Sequence, residues 1–325
     1  PSGLLSLREK LAGYCSENCQ RHIKTENVVI SPANMLIYQI LDIICEATET
    51  VALFTPAFPT YIAACGYVGI TMHQVPLSMN NGFQITKKTI DKAFSANPKV
   101  VFVNSGNNPT GAVYDEGLLK YLLEQAVKRD CWVVSDETYS KLSYNKTYFS
   151  LLGFEYEKLV IISSFSKIFC VPGYRIGYAV ADPRVVEKIA LSSSTLYSCL
   201  PVFVQEGITE GVPIIDSFTD SRKKYYKALS NECLKIITRS DYLACVKPEA
   251  GFYLLIDIRK LKIDDRVFCS RLLDEFSTAV TPGASFGRAG FVRASICGET
   301  NDVKKGLRQV VLLAKSLQRQ RLNRR

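Results

Sequence analysis

One segment of the sequence, residues 163–178, combines a lysine with hydroxyl side chains and an arginine. Ser164 and Ser166 flank Lys167, and Arg175 follows about two helical turns later. The apolar run at 159–162 predicts a buried strand ahead of them. Burial lowers the pKa of an amine, and a neutral amine forms a Schiff base with a carbonyl. Hydroxyls and a guanidinium bind phosphate, so a molecule with both groups, such as pyridoxal phosphate, would suit this segment.

Taken alone, the same segment is more typical of an exposed lysine in a Ser-rich loop, because most lysines are exposed. Two further polar clusters help to decide between a cofactor-binding lysine and an exposed one. Residues 104–111 follow an apolar run that ends at Val103, and residues 136–139 follow one that ends at Val134. Each cluster alone is also typical of a turn or a helix cap.

The spacing of apolar runs predicts the elements that position these clusters. Short apolar strands alternate with amphipathic helices up to about residue 211, which indicates an α/β fold with a mostly parallel sheet. The strand at 176–180 is expected to be antiparallel, since its link from Lys167 is short. Ligands of such sheets bind beyond the carboxyl ends of the strands, where all three clusters fall. Beyond residue 211 a long charged helix leads into a smaller α+β region.

Together, four motifs carry a resemblance that no single one of them would. They are N-N-P-T-G at 107–111, D-E-T-Y at 136–139, S-F-S-K at 164–167 with R-I-G-Y at 175–178, and F-V-R at 291–293. In order and spacing they resemble the class I/II aminotransferases, pyridoxal-phosphate enzymes of fold type I. The resemblance implies a seven-stranded, mostly parallel sheet flanked by helices in a large domain at 1–211. It also implies a smaller α+β domain at 212–325, and a homodimer.

The resemblance implies that pyridoxal 5'-phosphate is held at the motif residues. Lys167 would bind it as a Schiff base and later carry a proton. Asp136 would keep the pyridine nitrogen protonated. Asn108 and Tyr139 would hydrogen-bond its phenolic oxygen. The expected phosphate ligands are Ser164, Ser166 and Arg175, together with the backbone amides of Ala33 and Asn34 at a helix start.

Three further expectations concern the substrate side and the helix start. Arg293 would bind the α-carboxylate of the substrate as a bidentate fork, close to Asn108. Phe58 would stack on the pyridine ring, although a core aromatic is the alternative. Pro32 departs from the family's Gly-Ala or Ser-Ala pair and removes one amide donor. The family's N-terminal arm precedes the point at which this sequence starts, so the arm is expected to be absent here.

Composition limits the other classes of function. The sequence has 325 residues, a net charge of +9, eleven scattered cysteines and two histidines, and it has no C-x-x-C pair. A metal site is therefore not expected, and the cysteines are expected to be reduced. No apolar run is long enough to span a bilayer, so a cytoplasmic protein without membrane contact is predicted. Much of the positive charge lies at 315–325, which is more typical of a solvated helix end than of a nucleic-acid site.

The motifs leave the reaction partly open. An aminotransferase acting on an α-amino acid and a 2-oxo acid is the leading hypothesis. A lyase, cyclase or decarboxylase on the same fold would carry the same motifs. A third alternative, from another class, is a non-catalytic sensor domain of a transcriptional regulator.

Overall fold

The computed structural model describes residues 1–19, 21–144 and 147–322. The helices of this part are α1 Leu5–Cys19, α2 Ala33–Ile44, α3 Pro59–Val68, α4 Lys87–Phe94, α5 Glu116–Lys128, α6 Phe165–Ile168, α7 Pro183–Leu196, α8 Val202–Gly211, α9 Ile215–Ile237, α10 Asp265–Phe276 and α11 Thr300–Leu322. The strands are β1 Val28–Ser31, β2 Thr50–Thr55, β3 Thr71–Pro76, β4 Val100–Val103, β5 Trp132–Asp136, β6 Leu159–Ser164, β7 Gly177–Val180, β8 Ala244–Cys245, β9 Tyr253–Asp257, β10 Thr281–Pro282 and β11 Phe291–Ser295.

Seven strands form the larger sheet in the order β1-β7-β6-β5-β4-β2-β3. Strands β2 to β6 run parallel to one another, and β7 is antiparallel to both of its neighbours, β6 and β1. Every residue of β4, β6 and β7 is buried, as expected for strands covered on both faces. The predicted seven-stranded mixed sheet and its antiparallel strand are confirmed.

Two apolar layers cover the faces of this sheet. On one face, α2, α3 and α7 bury residues such as Leu36, Tyr61 and Ile189. On the other face, α1, α4, α5 and α8 bury residues that include Leu7 and Leu119. Because both faces are covered by helices, side chains reach solvent mainly at the strand ends, where a ligand can approach.

The smaller sheet lies near the C-terminus, has the order β10-β11-β9-β8 and is antiparallel throughout. Helices α9, α10 and α11 pack their apolar faces against it in a separate cluster that includes Cys233, Phe268 and Val310. This smaller α+β region agrees with the predicted fold. The division of the chain at 211/212 stays a prediction.

Two helices, the single turn of α6 and the longer α8, were not predicted from the sequence. Residues 202–211 form α8, although two glycines, Gly207 and Gly211, lower the helix propensity of this segment. Val204 and Ile208 bury their side chains in the same cluster as α1, so tertiary packing outweighs the local preference. The basic C-terminal run continues α11 as far as Leu322, and Arg324 and Arg325 lie outside the described residues.

Membrane-spanning helices and metal clusters are absent from the described ranges. No helix there is long and apolar enough to cross a membrane. No group of three or more His, Cys, Asp or Glu side chains in those ranges could hold a metal ion. All eleven cysteines are free thiols, and Cys170, Cys199 and Cys297 are exposed.

Candidate active site

A cleft of about 170 Å³ lies beyond the carboxyl ends of β4, β5 and β6. It brings together every site residue expected from the sequence: Ala33, Asn34, Phe58, Asn108, Asp136, Tyr139, Ser164, Ser166, Lys167, Arg175 and Arg293. Ile37, Asn104, Thr138 and Tyr253 complete its walls. Segments far apart in the chain meet here because parallel strands end at a common edge of the sheet.

Lys167 lies in the single turn of α6, which begins directly after β6. The Ser164 hydroxyl caps this turn by accepting the N–H of Ser166 at 3.3 Å. Burial lowers the pKa of the Lys167 amine, and the positive charges of Arg175 and Arg293 lower it further. The Phe252 ring centroid lies 5.6 Å from Nζ. Burial and the two guanidinium charges therefore shift the amine toward its neutral form, which is the nucleophilic one.

Asp136 ends β5 and is 6% exposed. Its Oδ2 accepts the hydroxyl of Tyr61 at 2.6 Å, and its Oδ1 accepts the N–H of Thr138 at 3.0 Å. Burial raises the pKa of this carboxyl, while both donors and the charge of Lys167 oppose that rise. Among the described residues no cation forms an ion pair with Asp136. A buried carboxylate of this kind is stabilised by a cationic group that enters the cleft.

Tyr139 lines the cleft, and its hydroxyl donates to the hydroxyl of Tyr253 in β9 at 3.0 Å. Burial raises the pKa of Tyr139 well above its ordinary value, so the phenol is neutral and can donate. Gly251 has a φ of +75°, and a Cβ there would lie 3.3 Å from the Tyr139 ring. Glycine therefore lets the smaller sheet approach Tyr139 closely.

The N-terminus of α2 forms the opposite end of the cleft. Pro32 is the N-cap of this helix, so the missing amide is outside the first turn and Ala33 and Asn34 keep theirs. Gly177 of β7 makes the close approach possible, since a Cβ there would lie 2.6 Å from the Ser163 carbonyl oxygen and 3.3 Å from the Ala33 nitrogen. The altered helix start thus retains an anion-binding geometry.

Arg175 completes this end of the cleft from the loop before β7. Its backbone is left-handed, with a φ of +51°, and its Nη1 donates to the Pro172 carbonyl at 2.8 Å. The side chain is exposed. With Ser164 and Ser166 nearby, this end of the cleft carries the hydroxyl and guanidinium donors that a phosphate requires.

Arg293 of β11 extends from the smaller sheet into the cleft. Its Nη1 donates to Oδ1 of Asn108 at 3.2 Å, and its Nη2 donates to the Thr281 hydroxyl at 3.1 Å. The rings of Tyr253 and Phe286 lie 4.5 Å and 5.0 Å from the guanidinium carbon. Nε is buried and has no partner in the described part of the chain. A donor left in this state is satisfied when a carboxylate binds.

Phe58 precedes α3 and lines the cleft, with its ring edge-to-face against Tyr61 at a centroid distance of 5.6 Å.

Two tyrosines of the site were not predicted from the sequence. Tyr61 donates to Asp136, and Tyr253 contacts Tyr139 and Arg293. The spacing of Phe58 and Tyr61 in the first turn of a helix is a signal that could have identified Tyr61. Tyr253 had no comparable signal, because a tyrosine in a strand is usually a core residue.

Comparison with known proteins decides the family. The model of the family described as aminotransferase class I and II matches residues 1–310. The chain belongs to this family. The class I and II aminotransferases are pyridoxal-phosphate-dependent enzymes of amino acid metabolism that transfer nitrogenous groups. The resemblance expected from the four motifs is confirmed.

Individual aminotransferases match over most of their length. The chain is 29% identical to an aspartate aminotransferase of Thermotoga maritima over 313 residues, which are 95% of this chain and 81% of the relative. It is 30% identical to a probable aspartate/prephenate aminotransferase of Aquifex aeolicus, again over 95% and 81%. The structure of Thermus thermophilus aspartate aminotransferase with maleate superposes with a TM-score of 0.91 at 26% identity, covering 96% of this chain and 82% of that one.

The residues present in the cleft fit the cofactor of the family. A half-buried lysine with a lowered pKa meets the requirement for a carbonyl-binding amine. Asp136, buried without an ion-pair partner among the described residues, suits a protonated ring nitrogen. The start of α2, the two serines and Arg175 suit a phosphate. The donor set therefore agrees with pyridoxal phosphate in each of its three functional parts.

Proposed function

We propose that this aminotransferase binds pyridoxal 5'-phosphate in the cleft and moves the amino group of an α-amino acid to a 2-oxo acid. The observation that carries the proposal is the convergence of Lys167, Asp136 and Arg293, from different elements, in one cavity. When bound, the cofactor supplies an aldehyde for amines and a ring that accepts electrons from the substrate's α-carbon. Side chains of the protein perform the other tasks, which are binding, orientation and proton transfer.

Asp136 and the residues around it would hold the pyridine ring of the cofactor, which accepts the electrons. Its carboxylate, held by Tyr61 and Thr138, keeps a proton on the ring nitrogen. The Tyr139 hydroxyl, which donates to Tyr253 here, and the side-chain amide of Asn108 would hydrogen-bond the phenolic oxygen of the cofactor. Both groups are nearly fully buried, so water does not compete for them.

Lys167 is the base of the reaction. Burial lowers its pKa, which makes the amine easier to deprotonate, and the neutral amine removes the proton of the substrate's α-carbon and later returns a proton. Because α6 has one turn and is capped by Ser164, the amine is attached to a rigid strand end. Its position is therefore set by β6 rather than by a mobile loop.

Arg293 binds the α-carboxylate of the substrate. Asn108 and Thr281 hold its two terminal nitrogens, and Nε, which is without a partner among the described residues, remains as a donor for the carboxylate. The forked geometry orients the α-carbon as well as binding the charge. Since relatives of this chain are aspartate and aspartate/prephenate aminotransferases, we propose a dicarboxylic amino acid such as L-aspartate as the first donor to test.

We also propose that the enzyme works as a homodimer with a large domain at 1–211 and a small one at 212–325. Several large apolar side chains are well exposed on the single chain, which suits contact with a second copy: Tyr67 at 82%, Leu191 at 71% and Phe203 at 74%. Sedimentation or light scattering of the purified protein measures the mass directly. A monomer under assay conditions would contradict the dimer.

The proposed function is tested with the purified protein, added cofactor and a panel of amino acids with 2-oxoglutarate. We expect a visible cofactor spectrum, release of the oxo acid, and loss of both the covalent spectrum and turnover in Lys167→Ala. Lys188→Ala, on the outer surface of α7, is the matched control. No cofactor uptake, or a spectrum that ignores the Lys167 substitution, would overturn the proposal. Carbon dioxide or ammonia release without a new amino acid would assign lyase or decarboxylase chemistry instead.

A further inference from the structure

A short 3-10 helix at Gly283–Phe286, here called the 283–286 turn, contacts residues from two sides of the cleft. At its end, the fully buried Phe286 ring lies 5.0 Å from the guanidinium carbon of Arg293. The Phe286 carbonyl accepts the N–H of Ala57, the residue before Phe58, at 2.9 Å. The turn therefore joins the arginine proposed to bind carboxylate to the wall formed by Phe58.

One buried carboxylate holds this turn in place. Oδ2 of Asp265 accepts the N–H of Ala284 at 2.7 Å, and the residue is 1% exposed. Its other oxygen, Oδ1, has no hydrogen-bond partner among the described residues. Asp265 is the first residue of α10, where the helix dipole favours a negative charge.

This arrangement is not what stability alone would favour. A buried carboxylate with one oxygen unpaired carries a desolvation cost, and acidic side chains are almost never fully buried without a partner. Its single hydrogen bond is directed at the turn that places Phe286. Among the described residues, the bond from Ala284 to Asp265 is the one hydrogen bond that joins the backbone of the turn to a side chain of α10.

We infer that Asp265 is a positioning residue for substrate carboxylate binding. By holding Ala284 it fixes the 283–286 turn, and the turn keeps the Phe286 ring against Arg293, so that the guanidinium is already oriented when the carboxylate arrives. This inference rests on the proposed role of Arg293. Loss of this one hydrogen bond, and with it the orientation of Arg293, should weaken carboxylate binding by roughly 10-fold.

The test compares Asp265→Ala with the conservative Asp265→Asn, whose side-chain oxygen still accepts from Ala284. Asp264→Ala is the matched control, because the described hydrogen bonds of the Asp264 side chain cap the same helix through Arg266 and Val267 and none of them reaches the turn. Three quantities are measured on the cofactor-loaded protein. They are KM and kcat for the best amino acid of the panel, the calorimetric affinity for maleate, and the apparent affinity for methylamine, which has no carboxylate.

In Asp265→Ala we expect KM to rise and maleate affinity to fall, each by roughly 10-fold, with kcat within about 2-fold of wild type. Methylamine affinity stays unchanged, because that amine does not use Arg293. Asp265→Asn restores wild-type values, and Asp264→Ala leaves maleate affinity unchanged. Phe286→Leu, which removes the ring itself, reproduces the KM effect and replaces Asp265→Ala if that variant does not fold.

The inference is wrong if maleate affinity is unaffected in Asp265→Ala and Phe286→Leu, or if methylamine affinity falls equally. It is also wrong if Asp264→Ala gives the same loss, since the effect would then come from the stability of α10. A wild-type protein that transaminates no amino acid contradicts the proposed function, but maleate calorimetry still tests Asp265. If the wild-type protein binds no maleate, the proposed carboxylate site at Arg293 is wrong, and so is this inference.

Discussion

Glu137, next to Asp136, makes the stability of this protein depend on pH. It is 5% exposed and its carboxylate accepts three hydrogen bonds. They come from the Leu151 N–H at 3.0 Å, the Ser135 hydroxyl at 3.1 Å and the Ser150 hydroxyl at 2.6 Å. Burial raises the pKa of Glu137 to about 7 in spite of these donors. In the unfolded chain the pKa returns to its ordinary value of 4.5.

The sign and size of the effect follow from these two values. Because the folded pKa is raised, protonation favours the native state. The stabilisation is fully present below about pH 4.5 and is lost as pH rises through about 7. A difference of about 2.5 pKa units corresponds to about 3 kcal/mol. Glu137→Gln stays neutral at every pH and keeps an acceptor for Leu151, so it should not show this loss.

Urea unfolding of the cofactor-free protein at about pH 5 and about pH 8 measures the effect. The free energy of unfolding of wild type should fall relative to that of Glu137→Gln by about 2.5 kcal/mol between these conditions, slightly less than the full effect because the unfolded carboxyl is already largely ionised at about pH 5. Glu155→Gln, which replaces an exposed carboxylate in a nearby loop, is the matched control and should follow wild type. Parallel pH curves for wild type and Glu137→Gln would refute the reasoning.

Two further substitutions test the contacts around the cofactor. Tyr61→Phe removes the 2.6 Å donor from Asp136 and raises the pKa of that buried carboxyl further. Loss of such a charge-assisted bond is worth about 1.5–3 kcal/mol, so cofactor affinity should fall roughly 10- to 100-fold in equilibrium titrations; unchanged affinity would contradict the role of Tyr61. Gly177→Ala places a methyl group 2.6 Å from the Ser163 carbonyl and should cost about 1–3 kcal/mol of unfolding free energy, measured in urea. Gly173→Ala, which meets no atom within 4 Å, is its control, and equal stability of the two variants would show that β7 can move away.

The sequence by itself determined the elements and the chemistry that each strand end carries. The apolar runs at 99–103, 131–134 and 159–162 predict buried strands, and each of them lies in or overlaps a buried strand of the structure. The polar residues that follow each run then lie at a common edge, so Asn108, Asp136 and Lys167 can be grouped from the pattern of strands alone. The local sequence pattern and the parallel order of the strands are enough to place these three residues in one site.

Only the tertiary structure decided which groups support these residues. Tyr61 contacts Asp136, Tyr253 contacts Tyr139, and Asp265 holds the turn beside Arg293, and in each pair the partners are on separate elements. Apart from the spacing of Tyr61 from Phe58, nothing in a local pattern distinguishes these residues from a core ring or a helix cap. Their roles depend on how the smaller sheet packs beside the cleft. That packing arises from apolar contacts and close approaches at glycines between distant segments, so it exists only in the folded chain.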